Sequence, residues 1–311
     1  MLTIQRILFT TDLSEGARRA FPQAVHLADR HDAGLHVLNV TNPRRHDGSE
    51  TTASFPVSLD TLADWFATSA REENCPDLAT MSITQKQVES ESPPERIIDY
   101  VGDEGIDLVV MGTHGRRGVN RMLFGSVTEE VLRRAPCPLL TVQTGADMPS
   151  AHTAQRILVP VDFSEASETA LRHAAEIAST YGAELDLLHV VEEMVYPSNY
   201  GLEPSNFPAK DILGRVEKSL DDLVREDVGY EHASVGATVG HPPTAILDHM
   251  EENETDLVVI ATQGRTGLER VLVGSVAERV IRQSPAPVFA LKPDQKFLLP
   301  TPSADTGTTE E

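Results

Sequence analysis

Cysteine is almost missing from this 311-residue sequence: there are two, Cys75 and Cys137, and no CxxC pair. That argues against a disulfide framework, and Cys137, inside Ala135-Pro-Cys-Pro-Leu-Leu140, reads as a small core residue. Aromatic residues make up only 5% of the chain, so Ala, Val, Leu and Ile must do most of the packing, as suits helix-covered parallel sheets. No apolar run approaches the ~20 residues that span a bilayer. The N-terminus carries Arg6 and Asp12 around a short strand-like run and does not read as a signal peptide, so a cytoplasmic location is expected. The histidines show no HExxH or other metal-ligand spacing, and no structural metal is expected.

Positive charge is also scarce. Lys and Arg number 26 against 48 Asp and Glu, a net charge of −22, and five of the 26 are Lys. An acidic surface repels nucleic acid and anionic membranes, which removes both from the expected partners. The acidic, lysine-poor balance resembles that of halophilic proteins, although an acidic mesophilic protein can share it. The acidic groups around Asp103, Glu104 and Asp221 read as solvated faces.

What is present is a repeat. Arg6-Ile-Leu-Phe-Thr-Thr-Asp12-Leu-Ser14-Glu recurs as Arg156-Ile-Leu-Val-Pro-Val-Asp162-Phe-Ser164-Glu, and Asp107-Leu-Val-Val recurs from Asp256. Phe124-Gly125-Ser126-Val recurs as Val273-Gly274-Ser275-Val, and Ala135-Pro-Cys-Pro138 as Ser284-Pro-Ala-Pro287, at an offset near 150. Units this long are duplicated domains. The expected layout is domain 1 over 1–143, a linker over 144–155, domain 2 over 156–292 and a disordered tail over 293–311.

Each half alternates strand and helix. The first predicts strands at 6–11, 34–40, 80–88, 107–112 and 138–142, with helices at 14–31, 57–74, 93–103 and 126–134. The second predicts strands at 156–161, 184–191, 231–239, 256–261 and 287–291, with helices at 164–181, 208–226, 242–253 and 275–283. Ala17, Ala20, Phe21, Ala24 and Ala28 form one helical stripe, and Ala170, Leu171, Ala174 and Ala178 repeat it. Ser14 and Ser164 are placed to cap these helices, and Pro93 and Pro242 stand at helix starts. Strand–helix alternation implies right-handed crossovers and a parallel sheet.

The chemistry lies in glycines after the fourth strand of each half. Gly112-Thr-His-Gly115, nine residues, then Gly125-Ser126 is matched by Ala261-Thr-Gln-Gly264, nine residues, then Gly274-Ser275. Glycines there let backbone N–H groups turn toward an anion, and the Gly-Ser pair opens a helix whose N-terminus attracts phosphate. The pattern is neither a P-loop, since no Gly-Lys-Ser/Thr occurs, nor a dinucleotide fingerprint, since no GxGxxG follows the first strands.

With Asp12, Asp162 and the Pro-Cys-Pro and Pro-Ala-Pro endings, this motif resembles the ATP-binding universal stress proteins, in both halves. The resemblance implies an α/β fold of two tandem Rossmann-like domains, each a five-stranded parallel sheet in order 3-2-1-4-5 with helices on both faces. Ligands then bind beyond the strand ends where the order reverses. By the same resemblance, Asp12 and Val40, and Asp162 and Val190, contact adenine or ribose, with Thr10 and Pro160 close to the base. Gly112, Gly115, Gly125 and Ser126 hold phosphates, as do Gly264, Gly274 and Ser275, with Ala261 in the place of Gly112. The ligand implied is ATP, or AMP or ADP, with or without Mg. Single-domain members pair through their last strands, which implies an internal pseudo-dimer here, leaving further homodimerisation and an unnamed protein partner open.

Plainer readings compete. Asp12 can serve only to cap the first helix, and Ser126 with Glu129, like Ser275 with Glu278, spells a capping box. His114 sits where a general base would, but the second half has Gln263 there; Arg116, Arg117 and Arg265 can reach a phosphate or simply be solvated. Ala261 is harmless if φ there is negative and weakens the site if the position needs left-handed geometry. A nucleotide-binding stress or signalling module is the leading function. The alternatives are a slow ATPase or phosphoryl-transfer enzyme, for which no catalytic residue stands out, and a scaffold that has lost its ligand.

Overall fold

The computed structural model describes residues 2–44, 55–69, 76–113, 125–143, 154–192, 209–264, 273–293 and 295–299. The first half runs β1 (Arg6–Thr10), α1 (Glu15–His31), β2 (Gly34–Thr41), α2 (Leu59–Ser69), β3 (Ile83–Glu89), α3 (Pro93–Asp103), β4 (Leu108–Gly112), α4 (Ser126–Arg134) and β5 (Leu139–Val142). The second runs β6 (Arg156–Pro160), α5 (Glu165–Tyr181), β7 (Glu184–Glu192), α6 (Ala209–Leu223), β8 (Ala233–Gly240), α7 (Pro242–Glu252), β9 (Leu257–Ala261), α8 (Ser275–Gln283) and β10 (Val288–Leu291). No helix among the described residues is long and apolar enough to cross a membrane.

The strands form one ten-stranded sheet, ordered β3-β2-β1-β4-β5-β10-β9-β6-β7-β8. Each half therefore has the order 3-2-1-4-5. Within a half every pairing is parallel; β5 and β10 meet antiparallel, with Leu140 opposite Phe289. Leu140 and Phe289 are equivalent residues of the repeat, so a local two-fold axis passes between them. The expected pairing of the last strands is thus present, and it covers two edges that would otherwise be open.

Side-chain alternation divides the apolar residues between two faces. Ile7, Phe9, Leu108 and Val110 join the core under α1, α2, α5 and α6; Leu8, Val109 and Met111 join that under α3, α4, α7 and α8. Both cores contain residues of both halves. Cys137 is buried in the second, and burial pushes its thiol up to about 12, which suppresses thiolate chemistry.

The serine caps are as expected. Ser14 accepts from the Ala17 amide at 3.2 Å, and Ser164 forms a reciprocal capping box with Ser167. Pro93 and Pro242 open α3 and α7. The repeated Arg and Asp also have a structural role. Asp107 Oδ2 accepts from the amides of Gln5 and Arg6 at 2.7 and 2.9 Å, and Asp256 Oδ2 accepts from Gln155 and Arg156 at the same distances. Each carboxylate pins the start of its half's first strand beside its fourth.

Three departures from the sequence reading have an evident physical cause. β3 begins at Ile83, because Asp77 nucleates a turn by accepting from the Ala79 and Thr80 amides. α6 ends at Leu223 and widens into a π-helical turn, Val224–Val228, closed by Gly229 at φ 58°. Of the tail expected to be disordered from 293 onward, residues 295–299 pack against the rest of the chain. The Lys296 amide donates to the Pro136 carbonyl at 3.0 Å and its ammonium pairs with Asp107. Leu298 is fully buried; its amide donates to His173 Nε2 at 3.3 Å and its carbonyl accepts from the Thr3 amide at 2.7 Å. An apolar anchor with both backbone groups bonded outweighs the polar composition around it.

Candidate functional site

In each half the first strand ends where the order reverses. The Thr11 amide donates to the Leu38 carbonyl at 2.9 Å, as the Val161 amide does to Leu188. The chain then turns through a residue with left-handed backbone, Leu13 at φ 65° and Phe163 at φ 60°. Neither is glycine, and such a conformation costs roughly 1–3 kcal/mol, so surrounding bonds must hold it. Asp12 Oδ1 accepts from the Ser14 amide at 3.0 Å. Asp162 Oδ1 accepts from the Ser164 amide at 3.1 Å and its hydroxyl at 2.5 Å. Each aspartate therefore closes the turn, while the helix cap is the serine two residues on. The reading of Asp12 as the cap itself does not hold.

Behind the turns lie residues the motif reading missed. Asn39 donates Nδ2 to the Thr11 carbonyl at 2.8 Å and accepts from Gln87 Nε2 at 2.9 Å. In the second half His189 Nδ1 donates to the Val161 carbonyl at 2.6 Å, which places a proton on Nδ1. The repeat gives no signal for this pair because the residue types differ. Thr10 is buried and Pro160 half-buried, each ending its strand. Val40 and Val190 are half-buried on the face of the α3/α7 core.

The fourth strands bring the glycines in. A Cβ on Gly112 would stand 2.8 Å from the Gly16 carbonyl oxygen, so this glycine is required by the approach of α1 to β4. Its φ is not positive, nor is that of Ala261. The concern that Ala261 needs left-handed geometry is thereby removed. A Cβ on Gly264 would overlap Asp162 Oδ2, so the glycine after β9 and the aspartate after β6 are in direct approach. Gly115, its counterpart, lies outside the described residues, as do His114, Arg116, Arg117 and Arg265.

The capping boxes fail. The N-caps of α4 and α8 are Gly125 and Gly274, so Ser126 and Ser275 are first helical residues, and neither cap is closed by a side chain. Instead the Gly125 amide donates to the Thr113 carbonyl at 2.9 Å, and the Gly274 amide to Thr262 at 2.7 Å. A Cβ would lie 3.1 Å from the first carbonyl oxygen and 3.2 Å from the second. The glycine seats the helix start against the end of the fourth strand, and the first N–H groups of the helix have no intrahelical acceptor.

An aspartate-bearing turn and a helix start without a side-chain cap thus follow the neighbouring first and fourth strands, where the order reverses in each half. The universal stress protein family model matches residues 3–143 and 153–292. The chain belongs to the universal stress protein family. A universal stress protein of Mycolicibacterium smegmatis is 26% identical over 300 residues, covering 92% of this chain and 97% of that one. One from Methanocaldococcus jannaschii is 32% identical over 145 residues, covering 46% of this chain and 84% of the relative. Among solved structures, a universal stress protein of Archaeoglobus fulgidus superposes with a TM-score of 0.60 at 25% identity, covering 92% of this chain and 98% of that one. One from Pseudomonas aeruginosa superposes with a TM-score of 0.64 at 22% identity over 94% of each chain, which speaks to the fold alone. The tandem universal stress protein architecture therefore spans nearly the whole chain.

Proposed function

We propose that each half binds an adenine nucleotide, ATP in the first instance and AMP or ADP in its place, with or without Mg. The chain then works as a stress-response or signalling module in the cytoplasm, reporting the bound state to a protein partner. The observation that carries this reading is the paired approach of Asp162 to Gly264 beside the helix start at Gly274, which has no side-chain cap. A Cβ at Gly264 would occupy that approach, and a capping side chain would take the N–H groups a phosphate needs.

In this reading Asp12 and Asp162, with Val40 and Val190, face ribose or adenine, and Thr10 and Pro160 flank the base. Gly115, Gly125 and Ser126 cradle phosphate in the first half; Gly264, Gly274 and Ser275 do so in the second. Gly112, which also packs against Gly16, and Ala261 in its place complete the strand ends beside the phosphate.

Replacing Gly125 or Gly274 with a bulky residue is an ambiguous test, because the new side chain would also press on Thr113 or Thr262. Ser126→Asp and Ser275→Asp are better. A carboxylate in the first turn suits the helix dipole and preserves folding. Set against a phosphate, it costs several kcal/mol, so each variant should lose at least about tenfold in ATP affinity at its own site. Calorimetric titration of the two single variants and the double variant reads this directly. Full ATP binding by the double variant would defeat the proposal.

A further inference from the structure

Two residues outside both sites hold the helices that open at those sites. Gln143, the residue after β5, donates Nε2 to the Arg282 carbonyl at 2.6 Å and to the Ile281 carbonyl at 3.5 Å, in the last turn of α8. Lys292, the residue after β10, donates Nζ to the carbonyl of Ala135, the C-cap of α4. The two occupy equivalent places, one step past the antiparallel seam, and each reaches into the other half. Both satisfy carbonyls that a helix end leaves without intrahelical partners.

These bonds complete a circuit. From the first site, the Gly125 amide bonds to Thr113, the Thr113 amide bonds to the Val142 carbonyl at 3.0 Å, and the next residue, Gln143, grips the far end of α8. That helix starts at Gly274 in the second site. There the Gly274 amide bonds to Thr262, the Thr262 amide bonds to the Leu291 carbonyl at 2.7 Å, and the next residue, Lys292, grips the far end of α4. That helix starts at Gly125.

We propose that Gln143 and Lys292 are positioning residues for the nucleotide site of the opposite half, each setting the axial position of the helix that faces phosphate there. The inference rests on the nucleotide reading above. An α-helix is stiff along its axis, so a shift at its C-terminal end is delivered to the N–H groups at its start. Charge-assisted bonds from those groups to phosphate depend steeply on distance. The two grips are unequal. Lys292 brings a cation to the negative end of the α4 dipole, whereas α8 receives only a neutral amide. Burial pulls the Lys292 ammonium down to about 8, which marks it as withdrawn from water at the seam.

The test uses the full chain with Gln143→Ala, Lys292→Met and Lys292→Gln, each in the Ser126→Asp and the Ser275→Asp background so that one site is read at a time. The expected pattern in ATP titrations is crossed. Gln143→Ala weakens the second-half site about threefold to tenfold, within the range by which residues along such connections alter coupling, and leaves the first within about twofold. Lys292→Met does the reverse, and Lys292→Gln, which retains a donor, restores the first-half site. Amide hydrogen exchange adds a readout that needs no ligand: Gln143→Ala should speed exchange of the bonded Gly274 amide at the start of α8 and not of the Gly125 amide at the start of α4. Effects confined to a residue's own half, equal at both sites, or absent would overturn the inference. A parent chain that binds ATP at neither site would instead overturn the nucleotide reading, and the exchange pattern alone would then decide whether the helices are held across the seam.

Discussion

In the first half, the carbonyl before Asp12 is held by Asn39, itself held by Gln87, and Thr128 donates its hydroxyl to the Gly112 carbonyl at 3.1 Å. In the second half the corresponding places hold Val161, His189, Ala237 and Ala277, and His189 alone reaches the carbonyl before Asp162. Yet the aspartates, the left-handed residues after them, the serine caps and the glycines bonded to threonine are the same in both. These aspartates, caps and glycines are shared, and the residues one layer behind them are replaced freely. A supporting residue need only present a donor to one carbonyl, which an amide and an imidazole do equally well.

The largest effect should come from the feature that extends the second half over the first. Leu298→Ala truncates a fully buried side chain on a residue whose backbone bridges Thr3 and α5, and large-to-small core changes of this kind cost about 2–5 kcal/mol. Urea denaturation measures it. A shift below about 1 kcal/mol would mean the segment contributes little and the halves are more alike than they look.

Exchanging the residues at the ends of β4 and β9 comes next. Gly112→Ala forces a methyl against the Gly16 carbonyl and should cost about 1–3 kcal/mol. Ala261→Gly should cost only about 0.5–1 kcal/mol, from backbone entropy. Equal costs would undo the packing explanation for the glycine.

A smaller effect should appear in acid. His173 is fully buried; its Nδ1–H donates to the Thr169 carbonyl and its Nε2 accepts from the Leu298 amide, and the second bond requires the neutral ring. Burial lowers its pKa below 6.5, so the unfolded chain binds the extra proton first, and stability falls as pH drops below about 6.5. The equivalent residue in the first half is Gln23, also buried and not titratable. His173→Gln should therefore flatten the acid side of the stability profile, leaving the slope due to His31 and His36, which burial shifts the same way. An unchanged profile would remove His173 as a source of that slope.

The smallest effect should touch both halves alike. At a net charge of −22, self-repulsion is screened by salt, so Tm should be higher in about 1 M KCl than in dilute buffer. A lower Tm would count against the halophilic reading of the composition.

The order of strands and helices was legible because it rests on local pattern. The stripe of Ala17, Ala20, Phe21, Ala24 and Ala28 is buried as its spacing demands. The runs Leu108–Met111 and Leu257–Ile260 are buried on both faces, as central parallel strands must be. Misreadings arose where a long-range contact overrode a local one. Ser126 and Glu129 fit a capping box by spacing, but the bond from Gly125 to Thr113 moves the cap back one residue. The packing role of Gly112 was hidden because nothing nearby in sequence announces Gly16 as its neighbour. Leu298 sits among polar residues, and only the pocket between Thr3 and His173 makes it an anchor. Gln143 and Lys292 share no chemistry that a repeat comparison would detect.

The antiparallel seam between β5 and β10 joins two parts of one polypeptide. Partners tethered in this way meet at an effective concentration in the millimolar range, so dilution does not part them, and the two crevices cannot be reshuffled among molecules. In a pair of identical subunits every substitution is made twice and the two pockets must drift together. Here a change at 143 need not be matched at 292, nor one at 39 at 189. Duplication followed by tethering leaves each crevice free to acquire its own affinity while the seam keeps them in register.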